Sequence, residues 1–209
     1  MKKISLLLIG MTGLIGTPAA FAADSTDSGF YVLGGVGQTI GNDDKSTIDN
    51  ALASVGGAGF SSTLSRPTVY KLQAGYQATK YLAVEGGYLG SNNETYTASG
   101  GNLGGPVTAS ASVSGWNFNV VGILPVANQF SLLGKVGLAA IRESGTVTGP
   151  GGSASLSGNK TDTAFGIGAK YDFANAVFVR IDLDRYNVGS NSSSSRVNVW
   201  MLDLGYKFY

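Results

Sequence analysis

A chain of 209 residues with a formal net charge of +1, no Cys and no His excludes several function classes at once. No Ser-His-Asp or Cys-His catalytic site can be built, the usual zinc ligand sets are missing, and the near-neutral balance gives no basic patch for nucleic-acid phosphate. Glycine, at 32 residues, is about double its usual share, but it has no Gly-X-Y period, so collagen is excluded.

In chain order, residues 1–22 read as a cleaved secretory signal peptide. Met1, Lys2 and Lys3 form a basic start. An apolar run from Ile4 to about Ile15 follows, then Pro18 and the small-residue site Ala20-Phe21-Ala22. The run is shorter than the roughly 20 residues a helix needs to span a bilayer. Cleavage is expected after Ala22, leaving 23–209 as one domain. No Cys follows the cleavage site, which argues against a lipid anchor. Taking Lys2 and Lys3 from the formal +1 leaves the mature chain at about −1.

Past this point the dominant signal is alternation, the period of a strand with two different faces. It predicts strands at Gly29–Thr39, Arg66–Ala78, Tyr81–Ser91, Ser112–Leu124, Phe130–Ser144, Lys160–Phe173, Val177–Val188 and Arg196–Phe208. Each is near or above the roughly 9–11 residues of a tilted membrane-crossing strand. Tight turns follow the second, fourth and sixth segments, around Thr79-Lys80, Ala127-Asn128 and Asn175. Long polar loops follow the others: Ile40–Ser65, Asn92–Ala111, Gly145–Asn159 and Gly189–Ser195. Short periplasmic turns alternating with long extracellular loops are the asymmetry of transmembrane barrels. Gly149-Pro150-Gly151-Gly152 and Ser192–Ser195 read as flexible linkers. Ile48, Leu52 and Val55 have the spacing of a short loop helix.

Parity then assigns the faces. In the sixth segment Phe165, Ile167, Ala169, Tyr171 and Phe173 oppose Asp162, Ala164, Gly166, Gly168, Lys170 and Asp172. The seventh sets Val177, Val179, Ile181 and Leu183 against Phe178, Arg180, Asp182 and Asp184. Bulky apolar residues on one face, with small and charged ones on the other, suit lipid outside and a tight lumen inside. Tyr76, Tyr81, Phe130, Tyr171, Phe173, Tyr206 and Phe208 fall near the turn side, and Tyr88, Trp116 and Tyr186 near the loop side, as interfacial girdles would.

Four stretches in order carry a family resemblance: Gly29-Phe30-Tyr31-Val32, the run from Gly75 to Tyr88, Phe165–Phe173, and Leu202-Asp203-Leu204-Gly205-Tyr206-Lys207-Phe208. Together they resemble the OmpA-type outer-membrane β-barrel family, including its small opacity-type porins. The resemblance covers the whole mature chain and implies an all-β, eight-stranded antiparallel up-and-down barrel in the outer membrane of a Gram-negative bacterium. It also implies that Tyr206, Phe208 and Tyr209 hold the signal read by the barrel-assembly machinery, although the family usually ends in Phe. No peptidoglycan-binding domain follows, so a wall-tethering role does not carry over.

Parity places Lys71, Glu85, Lys135, Lys170, Asp172, Arg180, Asp182, Asp184, Asp203 and Lys207 in the lumen, with Glu143 and Asp162 near the outer mouth. Buried charges must be paired, because desolvation costs several kcal/mol each. Two readings follow: a salt-bridge plug, or a narrow path gated by exchange among Glu85, Lys135 and Arg180. The resemblance places a glutamate and basic residues at similar lumen sites. Arg66, Arg142, Arg185 and Arg196 lie near loop ends with outward parity. Guanidinium matches phosphate geometry, which suggests a lipopolysaccharide belt; interfacial snorkelling is the plainer account.

Asp182 and Asp184 could pose as a catalytic carboxylate pair, but an ion pair with Arg180 explains them more simply. Gly34-Gly35-Val36-Gly37 opens no helix and lacks the Lys of a phosphate loop. No enzyme, metal or cofactor is expected. The favoured function is a structural outer-membrane barrel with at most a narrow, charge-gated pore. The alternative is a surface adhesin or immune-evasion protein that meets host ligands through its long loops.

Overall fold

The computed structural model describes residues 28–40, 45–173, 176–190 and 193–208. The expected signal peptide, the turn at Asn175 and the Tyr209 part of the expected assembly signal lie outside them. The described elements run β1 (Gly29–Ile40), α1 (Lys45–Ser54), β2 (Phe60–Leu64), β3 (Thr68–Thr79), β4 (Leu82–Ser91), β5 (Glu94–Gly100), β6 (Val107–Ala127), β7 (Phe130–Gly149), β8 (Gly152–Asp172), β9 (Val177–Ser190) and β10 (Ser193–Lys207).

Eight strands form a ring in the order β6-β4-β3-β1-β10-β9-β8-β7, and β7 pairs back with β6. That seam is antiparallel and runs from Thr108↔Thr148 to Ala127↔Phe130. Closure leaves no strand edge in lipid, where an unpaired backbone group has no water to turn to. Along β3, exposed and buried positions alternate almost without a break. The alternation is inside-out relative to a water-soluble barrel: Leu72 is 67% exposed and Lys71 5%. The exposed set also holds Phe118, Leu132, Leu138, Ile167, Ile181 and Leu204, an outward apolar band that only lipid accommodates.

Aromatic pairs mark the turn end of this band. Phe30 meets Tyr76 at 4.8 Å, Tyr171 meets Phe173 at 4.9 Å, and Tyr206 meets Phe208 at 5.2 Å between ring centroids. At the loop end Trp116 stands outward against Tyr88. Tyr186 does not join this girdle. It lies two residues beyond Asp184 on the same parity, and its ring is buried in the lumen.

All four of the segments expected to be loops are partly strand. β7 and β8 continue as one hairpin through Gly145–Asn159, down to Gly149↔Gly152. Gly149-Pro150-Gly151-Gly152 is therefore a tight turn and not a linker, and Gly152 takes φ +122°, a conformation open to glycine. Within Asn92–Ala111, β5 pairs with the start of β6. Within Ile40–Ser65, β2 pairs with β5, and α1 forms over the stretch with helical spacing. At Gly189–Ser195 the β9–β10 ladder extends to Ser193↔Ser190. The sequence hides these extensions because a hairpin standing in water needs no apolar face. Thr and Val still favour extended backbone, and cross-strand pairs such as Thr146 with Ser155, 3.3 Å apart, hold it.

The lumen is filled in layers. Near the turn end Tyr31, Leu33, Ala83, Val121, Ile123, Leu133 and Phe178 form one buried apolar cluster. Near the loop end Val69, Leu89, Ala139, Ile141, Ala164, Tyr186, Val199 and Met201 form another. The charged side chains lie between them, so the interior is not polar throughout, as parity alone implies.

Candidate functional site

The middle layer is built by alternate residues of strands spread around the ring. β3 supplies Lys71, β4 Glu85, β7 Lys135, β9 Arg180, Asp182 and Asp184, and β10 Asp203. All are buried, with Asp182 0% and Glu85 and Asp203 1% exposed. Glycine makes the room: a Cβ at Gly35 would strike the Asp203 carboxylate, and one at Gly166 would strike that of Asp184.

Arg180 is the hub. Its Nη1 and Nη2 both donate to the Glu85 carboxylate, and its Nε lies 2.9 Å from Asp182 Oδ2 and 3.5 Å from Asp203 Oδ2. Lys71 Nζ reaches Asp182 at 2.7 Å, Asp203 at 2.8 Å and Asp184 at 3.6 Å. Lys135 Nζ reaches Asp184 at 2.6 Å and Asp182 at 2.8 Å. These contacts tie β3, β4, β7, β9 and β10 together across the lumen. Asp182 Oδ1 and Asp203 Oδ1 are buried without a hydrogen-bond donor among the described residues. Asp182 and Asp184 are thus ligands of lysine and arginine.

The structure brings together seven of the ten charged side chains expected in the lumen; Asp172 and Lys207 stay at the turn end. Lys170 stands apart at the turn end, 2.9 Å from Asp172 and over the Phe178 ring. Glu143 is exposed, and Asp162 is paired with its neighbour Lys160 at 2.9 Å; neither enters the layer. Both stand nearer the loop-side strand ends than the layer, where water reaches their carboxylates. Three neutral partners escaped the reading by charge. Tyr31 donates its hydroxyl to Glu85 Oε1 at 2.7 Å, and Gln73 accepts from Arg180 at 3.4 Å and donates to Asn117 at 3.0 Å. Their inward parity was the available signal.

Arg66, Arg142, Arg185 and Arg196 are all exposed, and Arg185 Nε donates to Asn198 Oδ1 at 2.8 Å. Outside the barrel, Asp49 on α1 forms a clasp. Its Oδ1 accepts from Ser62 at 2.7 Å and Tyr96 at 2.6 Å, and its Oδ2 pairs with Lys45 at 2.6 Å. The Lys45 ammonium and the two hydroxyls hold the Asp49 carboxyl down to about 2. Burial and the Asp49 hydrogen bond push the Tyr96 phenol up.

A family model described as the outer membrane protein beta-barrel domain matches residues 7–208. The chain belongs to that family. It is an integral protein of the outer membrane, the membrane of the family's structural neighbours. Among solved structures it resembles Ail, the attachment invasion locus protein of Yersinia pestis. The TM-score is 0.54 at 16% identity, over 87% of this chain and 99% of that one. Ail in complex with the heparin analogue sucrose octasulfate gives 0.52 at 15% identity, over 87% and 98%. OprG from Pseudomonas aeruginosa gives 0.52 at 14% identity, over 87% and 96%. At these identities the likeness is one of fold. No curated protein sequence matches the chain.

Proposed function

We propose that this barrel is a sealed structural element of the outer membrane and that its charge layer braces the strands rather than conducting. The observation that carries the reading is the continuity of the ion pairs. Every cation of the layer touches at least two carboxylates, and the cavity between it and the turn end holds about 20 Å³, room for about one water. Exchange of partners, the requirement of a gate, would strand a carboxylate at every intermediate. The test is conductance of the folded mature chain in a planar bilayer. The barrel should be silent; discrete steps that change in Lys135→Ala would make it a small gated pore instead.

A second reading has its own support. β2, β5 and the outer parts of β6, β7 and β8 raise an ordered sheet beyond the lipid band, with α1 clasped to it through Asp49. Such a platform suits a host surface ligand, as the attachment protein Ail suits a heparin analogue. Loss of cell binding to host matrix on trimming residues 40–65 would favour this role. The four outward arginines fit a lipopolysaccharide belt, tested by lipopolysaccharide retention after all four become Gln. Assembly through the barrel-assembly machinery, guided by exposed Tyr206 and Phe208 with Tyr209, completes the proposed partners.

A further inference from the structure

The two halves of the lumen are filled differently. On the turn side Tyr31, Phe178 and Leu133 close the space beneath the charge layer to about 20 Å³. On the loop side Val69, Leu89, Val113, Ile141, Val199 and Met201 line a cavity of about 170 Å³. Its mouth lies among Thr39, Glu94 and Glu143 at the outer strand ends, and its floor is Lys71. That ammonium is engaged by Asp182, Asp184 and Asp203, so it offers no free charge to an occupant. The result is a blind cup, open outward and closed inward.

The wall chemistry restricts what enters. A water needs about two to four polar partners, and an apolar cavity of about 150 Å³ stays dry and takes up benzene. A wall of this kind without an occupant also loses dispersion contacts. Filling is within the fold's reach, since two aromatic rings do it on the inner side. We propose that the outer half of the lumen is a binding site for a small, uncharged apolar molecule about the size of toluene, entering from the cell exterior. The site ends at the charge layer, so binding needs no conduction and its test is separate from the bilayer measurement.

Methionine supplies the reporter. Met201 lines the cup, and the chain's other two, Met1 and Met11, precede the expected cleavage site. With methyl-labelled methionine in the mature barrel in lipid nanodiscs, toluene should shift the Met201 methyl resonance to a plateau. Val113→Trp, or Val197→Trp should the first variant not fold, replaces a half-buried wall residue with one that occupies the cup. The plateau should then vanish while the barrel still shows folded gel migration. Benzylammonium and benzoate at the same concentrations should leave the resonance unmoved. A shift that rises linearly without a plateau, alike in both proteins, would mean partition into lipid only and would overturn the proposal. Equal saturation by the charged probes would overturn its restriction to uncharged molecules.

Discussion

Arg180→Met tests the charge layer at its hub. The substitution keeps an unbranched apolar stem but removes the contacts to Glu85, Asp182 and Asp203. The three carboxylates are not equally affected. Asp182 keeps Lys71 and Lys135, and Asp203 keeps Lys71. Glu85, 1% exposed, keeps only the Tyr31 hydroxyl among the contacts described above. The loss is therefore concentrated at one stranded carboxylate, for which breaking a buried pair costs about 3–5 kcal/mol. With a urea dependence of about 2 kcal/mol per molar, the unfolding midpoint in lipid vesicles should fall by about 2 M. Adding Glu85→Gln removes the stranded charge, and the double variant should return to within about 1 kcal/mol of the parent. A single variant as stable as the parent, or a double variant no better than the single, would refute the bracing role.

Three further outcomes follow from the geometry. Ile167→Arg, on the lipid face, should cost about 2–4 kcal/mol of folding stability in vesicles, as expected for a cation near the bilayer centre. Leu156→Arg, at least as exposed but on the hairpin above the barrel, should be near neutral; equal costs would misplace the membrane boundary. Gly35→Val should destabilise by at least about 1–3 kcal/mol in urea unfolding, because its side chain overlaps the Asp203 carboxylate and overpacking a filled interior is costly. The Asp49 clasp has a pH signature. Its carboxyl is depressed from 3.8 to about 2 in the fold, so its contribution is complete above about pH 4 and is lost as pH falls through about 2. Hydrogen exchange across residues 45–54 should therefore show protection at pH 4 that Asp49→Ala abolishes; unchanged protection in the variant would remove the clasp from the account.

How much was legible in the sequence depended on which solvent each residue meets. The eight ring strands, the tight turns at Thr79-Lys80 and Ala127-Asn128 and the outward band are legible because lipid and lumen impose opposite chemistries on alternate residues, and a period of two survives in the sequence. Leu72 beside Lys71 already carries the inside-out pattern in the sequence. The extracellular continuation of β7 and β8, and the short strands β2 and β5, carry no such contrast. Both of their faces meet water or one another, so Ser, Thr and Gly there resemble linkers, and only the paired backbone reveals the sheet. Parity could also say that Tyr186 points inward, but its place near a strand end suggested a girdle. Which carboxylate Arg180 grips, why Lys170 stays at the mouth, and why the lumen is closed just inside the charge layer while a cup lies just outside it were decided by tertiary structure alone. Those outcomes depend on the register between strands distant in sequence, such as β4 and β9, which sets the height at which two charges meet across the lumen.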